Sequence, residues 1–359
     1  MKVAIGMKIT NGPFGGGNQF GKALASYLVA HGHEVFFDLE RSDLDIILLT
    51  DPRSYLSSVS FGPIEIAWYI KQKNAQPLIL HRINECDERK GTKTTNRELA
   101  LANSLADHTI YIASWLIDLF EKQQLHFSKQ YSVIKNGADS SVFLFEKKIR
   151  DPQKKIKLVT HHWAVNIMKG WDVYSAIDAL LDQQEFRSKF EFHYIGNVPK
   201  TLSVKNTILH KPCVGTELAS RLKACDIYVT ASLNEPAGMH HIEGALCGLP
   251  LLYRNSGALP EYCEGFGVMF EGVEDFSLKL KQLVDSFDVY AEQMRSYDHT
   301  SEKMCKEYVA LFERLLAQKQ NILQQRSHYR FTWMNIFFMK CIFFYYHFLV
   351  KCERMHIYV

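Results

Sequence analysis

The sequence lacks several features that mark well-known classes of protein. Lysine and arginine exceed aspartate and glutamate by only three, 42 against 39, so no bulk basic field makes nucleic acid the main partner. The eight cysteines stand singly, without a C-x-x-C pair or zinc spacing. The first apolar run, "MKVAIGMKI", is too short for a signal-peptide core and predicts a buried strand. We therefore expect a cytoplasmic protein.

A glycine-rich loop near the amino terminus is incomplete as either of two nucleotide-binding motifs. The stretch "GPFGGGNQFGKALASYL" (residues 12 to 28) has the G-x4-G-K spacing, but Ala23 stands where a P-loop has the Ser or Thr that holds magnesium. Counted from Gly15, the last glycine of a dinucleotide fingerprint is replaced by Phe20, which disfavours NAD. Two interpretations stay open, a tight turn that needs positive φ and a phosphate-binding loop of another chemistry.

Helix and strand signals alternate along the chain in a way that predicts two α/β domains. Short apolar runs such as "DLDIILLTD" and "QPLILHRIN" are typical of strands buried on both faces of a parallel sheet. The charged stretch "EKKIRDPQKKIK" interrupts this rhythm, which then restarts. A chain of 359 residues exceeds the size that one core serves, and 47% apolar residues can fill two.

We predict two Rossmann-like domains with parallel sheets that face a central cleft, where ligands lie beyond the carboxyl ends of the strands. The first covers residues 1–148 and the second 149–295. C-terminal helices follow over 296–325, and an aromatic helical tail over 326–359.

The stretch "NEPAGMHHIEGALCGLP" contains two glutamates, Glu235 and Glu243, that frame seven residues. If all eight steps were helical, their α-carbons would lie about 12 Å apart. That separation exceeds the roughly 5 to 9.5 Å between the carboxylates of a glycoside hydrolase. A predicted helix instead begins between them, with first-turn amides near Gly238, Met239 and His240 that suit a diphosphate. The adjacent histidines "HH" lack the i, i+4 spacing of a helical zinc pair, so we predict no metal there.

These motifs together resemble one family of enzymes. The E-x7-E frame, the downstream "GLPLLYRNSGALPEY", the "NGAD" turn and "MKGWD", in this order, are similar to retaining nucleotide-sugar glycosyltransferases of family 4, which have the GT-B fold. The likeness covers roughly residues 1 to 315. It implies transfer of a sugar, with retention, from a nucleotide-diphosphate donor to a hydroxyl of a glycan, lipid-linked or protein acceptor, without metal or another cofactor. It also implies that helices near residues 300 to 320 cross back to the first domain.

The resemblance assigns roles to individual residues. Glu243 would bind the ribose hydroxyls, and Glu235 would contact hydroxyls of the transferred sugar. Lys169 of "MKGWD" would neutralise the diphosphate leaving group, whose charge grows as the glycosidic bond breaks. Backbone amides of the glycine loop and of the helix start would approach the donor, namely those of Gly15, Gly16, Gly17, Gly238, Met239 and His240.

One departure from the family pattern precedes that lysine. Family members commonly carry an arginine about six residues upstream, whereas this chain has "THHWAVNIMKG", with His161, His162 and Trp163 in the region. His162 is a candidate donor to a phosphate, but it is cationic at neutral pH only if its pKa is raised. Packing at the strand end is the alternative for both histidines.

The stretch "LHRINECDERKG" (residues 80 to 91) follows a strand of the first domain, where the family places residues near the transferred sugar and the acceptor. His81 and Asn84 are assigned to catalysis on this basis, and Arg82 and Asp87 are further candidates. A surface loop with solvated charges is the alternative.

The aromatic tail "FTWMNIFFMKCIFFYYHFLV" (residues 331 to 350) is long enough to span a bilayer, but Lys340 stands at its centre, where a charge is costly. Thr332, Asn335, Lys340 and His347 fall within about 140° of a helical wheel, at roughly 100° per residue. We expect a helix that lies at the cytosolic face of a membrane with this polar stripe to one side. Burial against the protein or a partner, and a true span, remain alternatives.

Two other functions stay open. A protein with this fold could bind a sugar nucleotide as a sensor or scaffold without turnover, which the missing arginine and the unusual tail motivate. A sugar-nucleotide epimerase on a similar two-domain scaffold would consume the donor without an acceptor.

Overall fold

The structure is a computed structural model that describes residues 1–10, 15–326 and 328–354. Residues 12 to 14 of the predicted glycine loop, together with residues 355 to 359 of the predicted tail, lie outside this described part. Two compact units are present. Unit 1 contains the described residues of Met1–Thr10, Gly21–Lys135 and Cys305–Val359, and unit 2 contains those of Asn11–Phe20 and Asn136–Met304.

The first part of the chain forms a six-stranded parallel sheet in the order β2-β1-β3-β4-β5-β6. Its strands are β1 (Lys2–Ile5), β2 (Glu34–Phe36), β3 (Ile46–Leu49), β4 (Leu78–Ile83), β5 (His108–Tyr111) and β6 (Tyr131–Val133). Its helices are α1 (Gly16–Ala30), α2 (Pro63–Lys73), α3 (Asp87–Lys90), α4 (Thr95–Asn103) and α5 (Trp115–Lys122). Every residue of β3 and β4 is buried, as the continuous apolar runs predict for central strands.

Residues 136–304 form a second six-stranded parallel sheet, in the order β12-β11-β10-β7-β8-β9. Its strands are β7 (Ile156–His162), β8 (Phe190–Gly196), β9 (Ile208–His210), β10 (Ile227–Thr230), β11 (Leu251–Arg254) and β12 (Gly267–Phe270). Its helices are α6 (Trp171–Leu180), α7 (Gln184–Lys189), α8 (Gly215–Lys223), α9 (Met239–Leu246), α10 (Leu259–Cys263), α11 (Val273–Asp285) and α12 (Phe287–Gln293). Side chains of β7, β10 and α6 meet in its core around Trp171 and Tyr174.

Three further helices complete the described chain, α13 (Ser301–Ala317), α14 (Lys319–Gln325) and α15 (Trp333–Arg354). The described residues from Cys305 onward belong to unit 1. The guanidinium of Arg326 forms a buried ion pair with Asp107 and also donates to the carbonyl of Pro77 at 2.6 Å. Phe331, Ile336 and Met339 enter the same apolar cluster as Ile66 and Leu105, so the tail helix docks on unit 1 through these side chains.

Two residues of the predicted polar stripe of α15 make contacts in the structure. The side-chain amide of Asn335 donates to the carbonyl of Arg330 at 2.9 Å, and the ring of His347 lies 4.2 Å from that of Tyr55. Asn335 therefore bonds to the segment that precedes the helix, and His347 packs its ring against unit 1. By length and composition alone, the segment Trp333–Cys352 is long and apolar enough to cross a membrane. Its most apolar stretch is 11% buried.

Candidate functional site

Strand order marks one position in each sheet where a ligand site is expected. In unit 2 the chain runs outward from β7 through β8 and β9 and then returns to place β10 on the other side of β7. The connections that leave β7 and β10 therefore diverge at the carboxyl edge, which opens a crevice between them. The first connection carries Lys169, and the second carries Glu235. Sheet topology thus places both predicted residues at the switch point of unit 2.

Lys169 and Glu235 form a buried ion pair between the Nζ and Oε2 atoms. Lys169 ends a short 3₁₀ turn over Ile167–Lys169, which begins where the side chain of Asn166 accepts a hydrogen bond from the amide of Met168 at 2.9 Å. The amide of Leu233 donates to the carbonyl of Met168 at 2.7 Å, which ties this turn to the segment that leads to Glu235. The two charges are therefore held by backbone contacts as well as by their mutual attraction.

Glycines allow the backbone to pack closely around this pair. Gly170 has a φ of +94°, and a Cβ atom there would lie 2.5 Å from the backbone of Ala231. Gly257 has a φ of +62°, and its Cβ would lie 2.5 Å from the backbone nitrogen of Glu235. Both positions combine left-handed backbone with a close approach, so only glycine fits them without strain.

Glu243 lies within α9 and contacts a histidine. Its Oε2 atom lies 2.7 Å from Nε2 of His161, and Nδ1 of the same ring lies 3.0 Å from the hydroxyl of Tyr228. The amide of His161 also donates to that hydroxyl at 3.2 Å. His161 ends β7 next to His162, and Tyr228 lies on β10, so both strands of the switch point orient the Glu243 carboxylate.

His162 and His240 are buried beside one another, with ring centroids 4.6 Å apart. Nε2 of His162 lies 2.8 Å from the hydroxyl of Tyr174, and Nε2 of His240 lies 2.8 Å from the hydroxyl of Thr230. Burial lowers the pKa of both rings well below the usual value, so both are neutral at pH 7. His162 therefore does not supply the positive charge that the family arginine would bring.

The start of α9 lies beside the ion pair. Gly238 is the N-cap residue, and a Cβ atom there would overlap the ring of His240 and come 3.2 Å from Cδ of Glu235. Helix geometry directs the amides of the first turn, from Met239 onward, outward along the helix axis. Gly16 lies against this turn, because a Cβ on Gly16 would come 2.6 Å from Cγ of Met239. A Cβ atom on Gly15 or on Gly17 would meet open space.

The "NGAD" turn joins the same surroundings. The side-chain amide of Asn136 donates to the carbonyl of Ala237 at 3.0 Å, and its backbone amide donates to the hydroxyl of Tyr262 at 2.8 Å. Three motifs that are distant in sequence, "NGAD", "NEPAG" and "ALPEY", therefore meet within unit 2. "MKGWD" joins them through the pair that Lys169 forms with Glu235.

His81 lies within β4 of unit 1 and is fully buried. Its Nδ1 atom lies 3.2 Å from the side-chain amide of Asn103, and burial lowers its pKa to about 3. The amide of Asn103 also donates to the hydroxyl of Thr109 at 2.8 Å. The structure thus places His81 in a central strand of the unit 1 sheet.

Asn84 follows β4 and is half-buried, next to Arg82 and Thr50. In the amide orientation that satisfies both of its polar atoms, the nitrogen donates to the carbonyl of Thr50 at 3.1 Å and the oxygen accepts from Arg82 at 3.0 Å. Asp87 accepts the backbone amides of Thr95 at 2.9 Å and Asn96 at 3.1 Å, which fixes the start of α4. These contacts orient Asn84 and Asp87 within unit 1, and their assignment to the site stays a prediction.

Sequence reasoning missed two tyrosines that shape the unit 2 switch point. Tyr174 and Tyr228 are fully buried, and their hydroxyls bridge the ends of β7 and β10. A tyrosine within an apolar pattern predicts a core side chain. Only the hydrogen-bond partners of its hydroxyl show that it also joins the two strand ends. Within the described ranges, no group of three or more His, Cys, Asp or Glu side chains could hold a metal ion.

No protein-family model matches the chain, and a search of curated proteins finds no match either. Solved structures do match its fold. Sucrose-phosphate synthase from Thermosynechococcus elongatus superposes with a TM-score of 0.65 at 13% identity, over 88% of this chain and 99% of that one. Anabaena HepE in complex with UDP and glucose gives 0.64 at 14%, over 88% and 100%. WaaG, a glycosyltransferase involved in lipopolysaccharide biosynthesis, gives 0.60 at 14%, over 87% and 99%. The predicted α/β fold of GT-B type, with its C-terminal apolar helix, is confirmed.

Proposed function

We propose that this chain is a retaining glycosyltransferase of family 4 that moves a sugar from a nucleotide-diphosphate donor to a hydroxyl acceptor in glycan or glycoconjugate synthesis. The observation that carries the proposal is the buried Lys169–Glu235 pair at the switch point of unit 2, beside the start of α9. Proteins of the same fold have been solved with UDP and with UDP-glucose, which supports this class of donor.

Each residue then has a role that its chemistry suits. The Lys169 ammonium is a compact charge with three donors, so it can face the Glu235 carboxylate and a phosphate oxygen together. It would stabilise the charge on the departing diphosphate. Glu235 would position the transferred sugar, and Glu243, held by His161, would bind the ribose hydroxyls. Amides at Met239 would approach the distal phosphate.

Retention of the anomeric configuration would follow if the acceptor hydroxyl attacks the sugar on the same face from which the leaving group departs. The leaving phosphate accepts the proton of the acceptor hydroxyl in this scheme, so no protein nucleophile is required. The enzyme's contribution is orientation and preorganised charge. We propose no metal or other cofactor, with the nucleotide sugar as co-substrate, and a cytoplasmic location at the cytosolic face of a membrane.

A panel of UDP-, GDP-, ADP- and CMP-sugars tests donor binding through the melting temperature, because a ligand of the folded state stabilises it in proportion to RT ln(1 + [L]/Kd). One nucleotide class should raise the melting temperature, with or without EDTA. Turnover with candidate acceptors, and the anomeric configuration of the product by NMR, test the reaction. An inverted product would reject retention, and loss of turnover in EDTA would reject metal independence.

A second candidate is a sugar-nucleotide sensor, which the neutral state of His162 favours because no cation stands at that position. Nucleotide release with and without acceptors separates the two functions. Donor binding without release across a broad acceptor panel would favour the sensor. Donor consumption without any acceptor, giving an epimeric sugar nucleotide, would instead indicate an epimerase.

A further inference from the structure

The tail helix α15 is docked on unit 1 by one narrow face. Ile336 and Met339 are each 1% exposed and belong to the apolar core that Ile66, Ala102 and Leu105 also form. Phe343 packs against the same cluster one turn later. Trp333 lies edge-on against Trp68 of α2, with ring centroids 4.6 Å apart. This face holds the helix in a fixed orientation on the protein.

The opposite face carries the larger apolar surface and is exposed. Its large apolar side chains are 48% to 74% exposed, and all but the first are aromatic: Met334, Phe337, Phe338, Phe344, Tyr345 and Phe348. On a helical wheel, at roughly 100° per residue, these exposed side chains fall within an arc of about 160°. Lys340 lies at one edge of this arc and Phe338 at the other. A helix of a soluble domain presents its polar side outward, whereas α15 presents aromatic rings.

The charged side chains on this face are cationic. Residues 328 to 352 include no Asp or Glu. Exposed Lys340 and Lys351 lie along one edge of the aromatic arc. Lys71 of α2 extends to the ring of Trp333, with Nζ 6.0 Å from its centroid. The surface therefore combines an aromatic centre with a cationic border.

We propose that this outward face of α15 rests in the interface of an anionic lipid bilayer, with the helix axis along the membrane surface. Aromatic rings favour the headgroup boundary, and the lysines at the edge reach lipid phosphates. A second copy of the chain would bring the same cations together, so charge complementarity favours the bilayer. A span would require Ile336 and Met339 to leave their core and Lys340 to enter the hydrocarbon centre.

This inference rests on the membrane location proposed above, and it names the surface and the lipid class. It does not depend on sugar transfer. Donor binding measured by melting temperature in the same preparation keeps the two apart. Failure to bind lipid with donor binding intact would end only this inference, and failure of donor binding with lipid binding intact would end only the transferase.

Flotation of the full chain with vesicles tests the surface. Binding should be strong with phosphatidylcholine mixed with phosphatidylglycerol and weak with phosphatidylcholine alone. The variant Phe337→Ser/Phe344→Ser/Phe348→Ser should bind anionic vesicles at least about tenfold more weakly. Lys340→Gln/Lys351→Gln should lose most of the preference for the anionic lipid. Equal binding by the triple serine variant would overturn the proposal.

The matched control replaces three exposed apolar side chains that lie elsewhere, Val29→Ser/Leu278→Ser/Val289→Ser, which are 60%, 67% and 59% exposed. Its vesicle binding should equal that of the parent chain. If the control loses binding as the triple serine variant does, binding is a general effect of surface hydrophobicity, and α15 is not the site.

A fluorophore on Cys341 reports depth, because Cys341 is exposed near the middle of the outward face. Cys213, which is partly exposed, is replaced by serine in this background. Anionic vesicles should shift the emission to shorter wavelength, and lipids with a quencher near the headgroup should quench it most. Strongest quenching from the bilayer centre would indicate a span and overturn the in-plane geometry. Dimers in light scattering, abolished by the triple serine variant without any vesicle binding, would assign the face to a second copy.

Discussion

Two buried ion pairs, one in each unit, join residues that are far apart in the sequence, and their surroundings differ. Arg326 grips Asp107 with two guanidinium nitrogens and also donates to Pro77, while Asp107 accepts the amide of Ile79 at 2.8 Å. This geometry uses the planar fork of arginine for fixed contacts within one packed body. The Arg326 pair therefore fastens the C-terminal segment to unit 1.

The Lys169–Glu235 pair has a different setting. It lies at the divergence of two strand connections, and Gly170, Gly238 and Gly257 keep side chains away from the adjoining backbone. Lysine presents a point charge with rotatable donors, which can serve an incoming anion without new geometry. The comparison teaches that burial alone does not distinguish a structural ion pair from one that we propose to be functional. The neighbours do, namely strand topology, glycines and a helix start.

The largest expected effect breaks the structural pair. Arg326→Met should lower the free energy of unfolding by about 3 kcal/mol, because it leaves the buried Asp107 carboxylate with only the more distant Arg330, at 4.0 Å. Urea denaturation measures this loss. Donor affinity should stay unchanged under conditions where the variant is folded. Arg295→Met, at an exposed site, is the control and should change stability little. A stable Arg326 variant with reduced donor binding would reverse the assignment of the two pairs.

Lys169→Met tests the pair that we propose to be functional. We expect turnover to fall roughly 100- to 1,000-fold, the range for removing one stabiliser of transition-state charge. Steady-state kinetics with a matched donor and acceptor measures it, and circular dichroism verifies that the variant is folded. The control is Lys189→Met, because Lys189 is exposed and pairs only with its helical neighbour Glu185 among the described residues. Unchanged turnover would remove Lys169 from the mechanism.

Donor binding should depend on Glu243 to a smaller extent. Glu243→Ala should raise the donor dissociation constant roughly tenfold to a hundredfold, since hydrogen bonds to a charged group contribute about 1.5 to 3 kcal/mol. Titration calorimetry measures the constant. Glu264→Ala, at an exposed position, is the matched control and should bind donor normally. Equal affinity in the two variants would reject the ribose assignment.

The smallest expected effect is the change of stability with pH that a buried histidine of unit 2 causes. His241 is fully buried between the rings of His240 and Tyr262, and burial lowers its pKa to about 3. The unfolded chain therefore binds a proton below about pH 6.5 that the folded chain does not. The contribution of His241 to the free energy of unfolding is therefore complete above that pH. It is lost as the pH falls toward 3, by about 1.4 kcal/mol per pH unit.

Unfolding in urea at pH 7 and pH 5 measures this dependence. His241→Phe should reduce the slope of stability against pH by about one proton, because phenylalanine has no charge to release or bind. His126→Phe, at an exposed position, should leave the slope as it is. An unchanged slope in the His241 variant would show that the buried ring is not the titrating group.

The sequence predicts most of the central elements because their signals are local. "DLDIILLTD" and "QPLILHRIN" contain β3 and β4, since apolar runs and core burial agree there. The edge strands β9 and β12 and the helix α2 were not predicted. β9 has only three residues, Ile208–His210, so its apolar run is too short to predict a strand. The start of α2 does carry a signal, a proline at its first position with Glu65 accepting the amide of Gly62 at 2.9 Å.

The positions of the candidate residues in the fold were predictable where motif and topology coincide. Lys169, Glu235 and Glu243 gather within unit 2 because parallel strands bring their carboxyl ends to one edge. The partner of Glu243 was not predictable, because His161 reaches it across 82 positions of sequence. The outward face of α15 was also missed. A helical wheel shows where polar residues lie, but only packing decides which side of the helix meets the protein.

Hydrogen–deuterium exchange with the nucleotide sugar that raises the melting temperature most tests the central claim directly. The account predicts protection confined mainly to peptides covering residues 160–172 and 233–247, which carry the two connections at the unit 2 switch point. Binding that leaves both segments unprotected would contradict it.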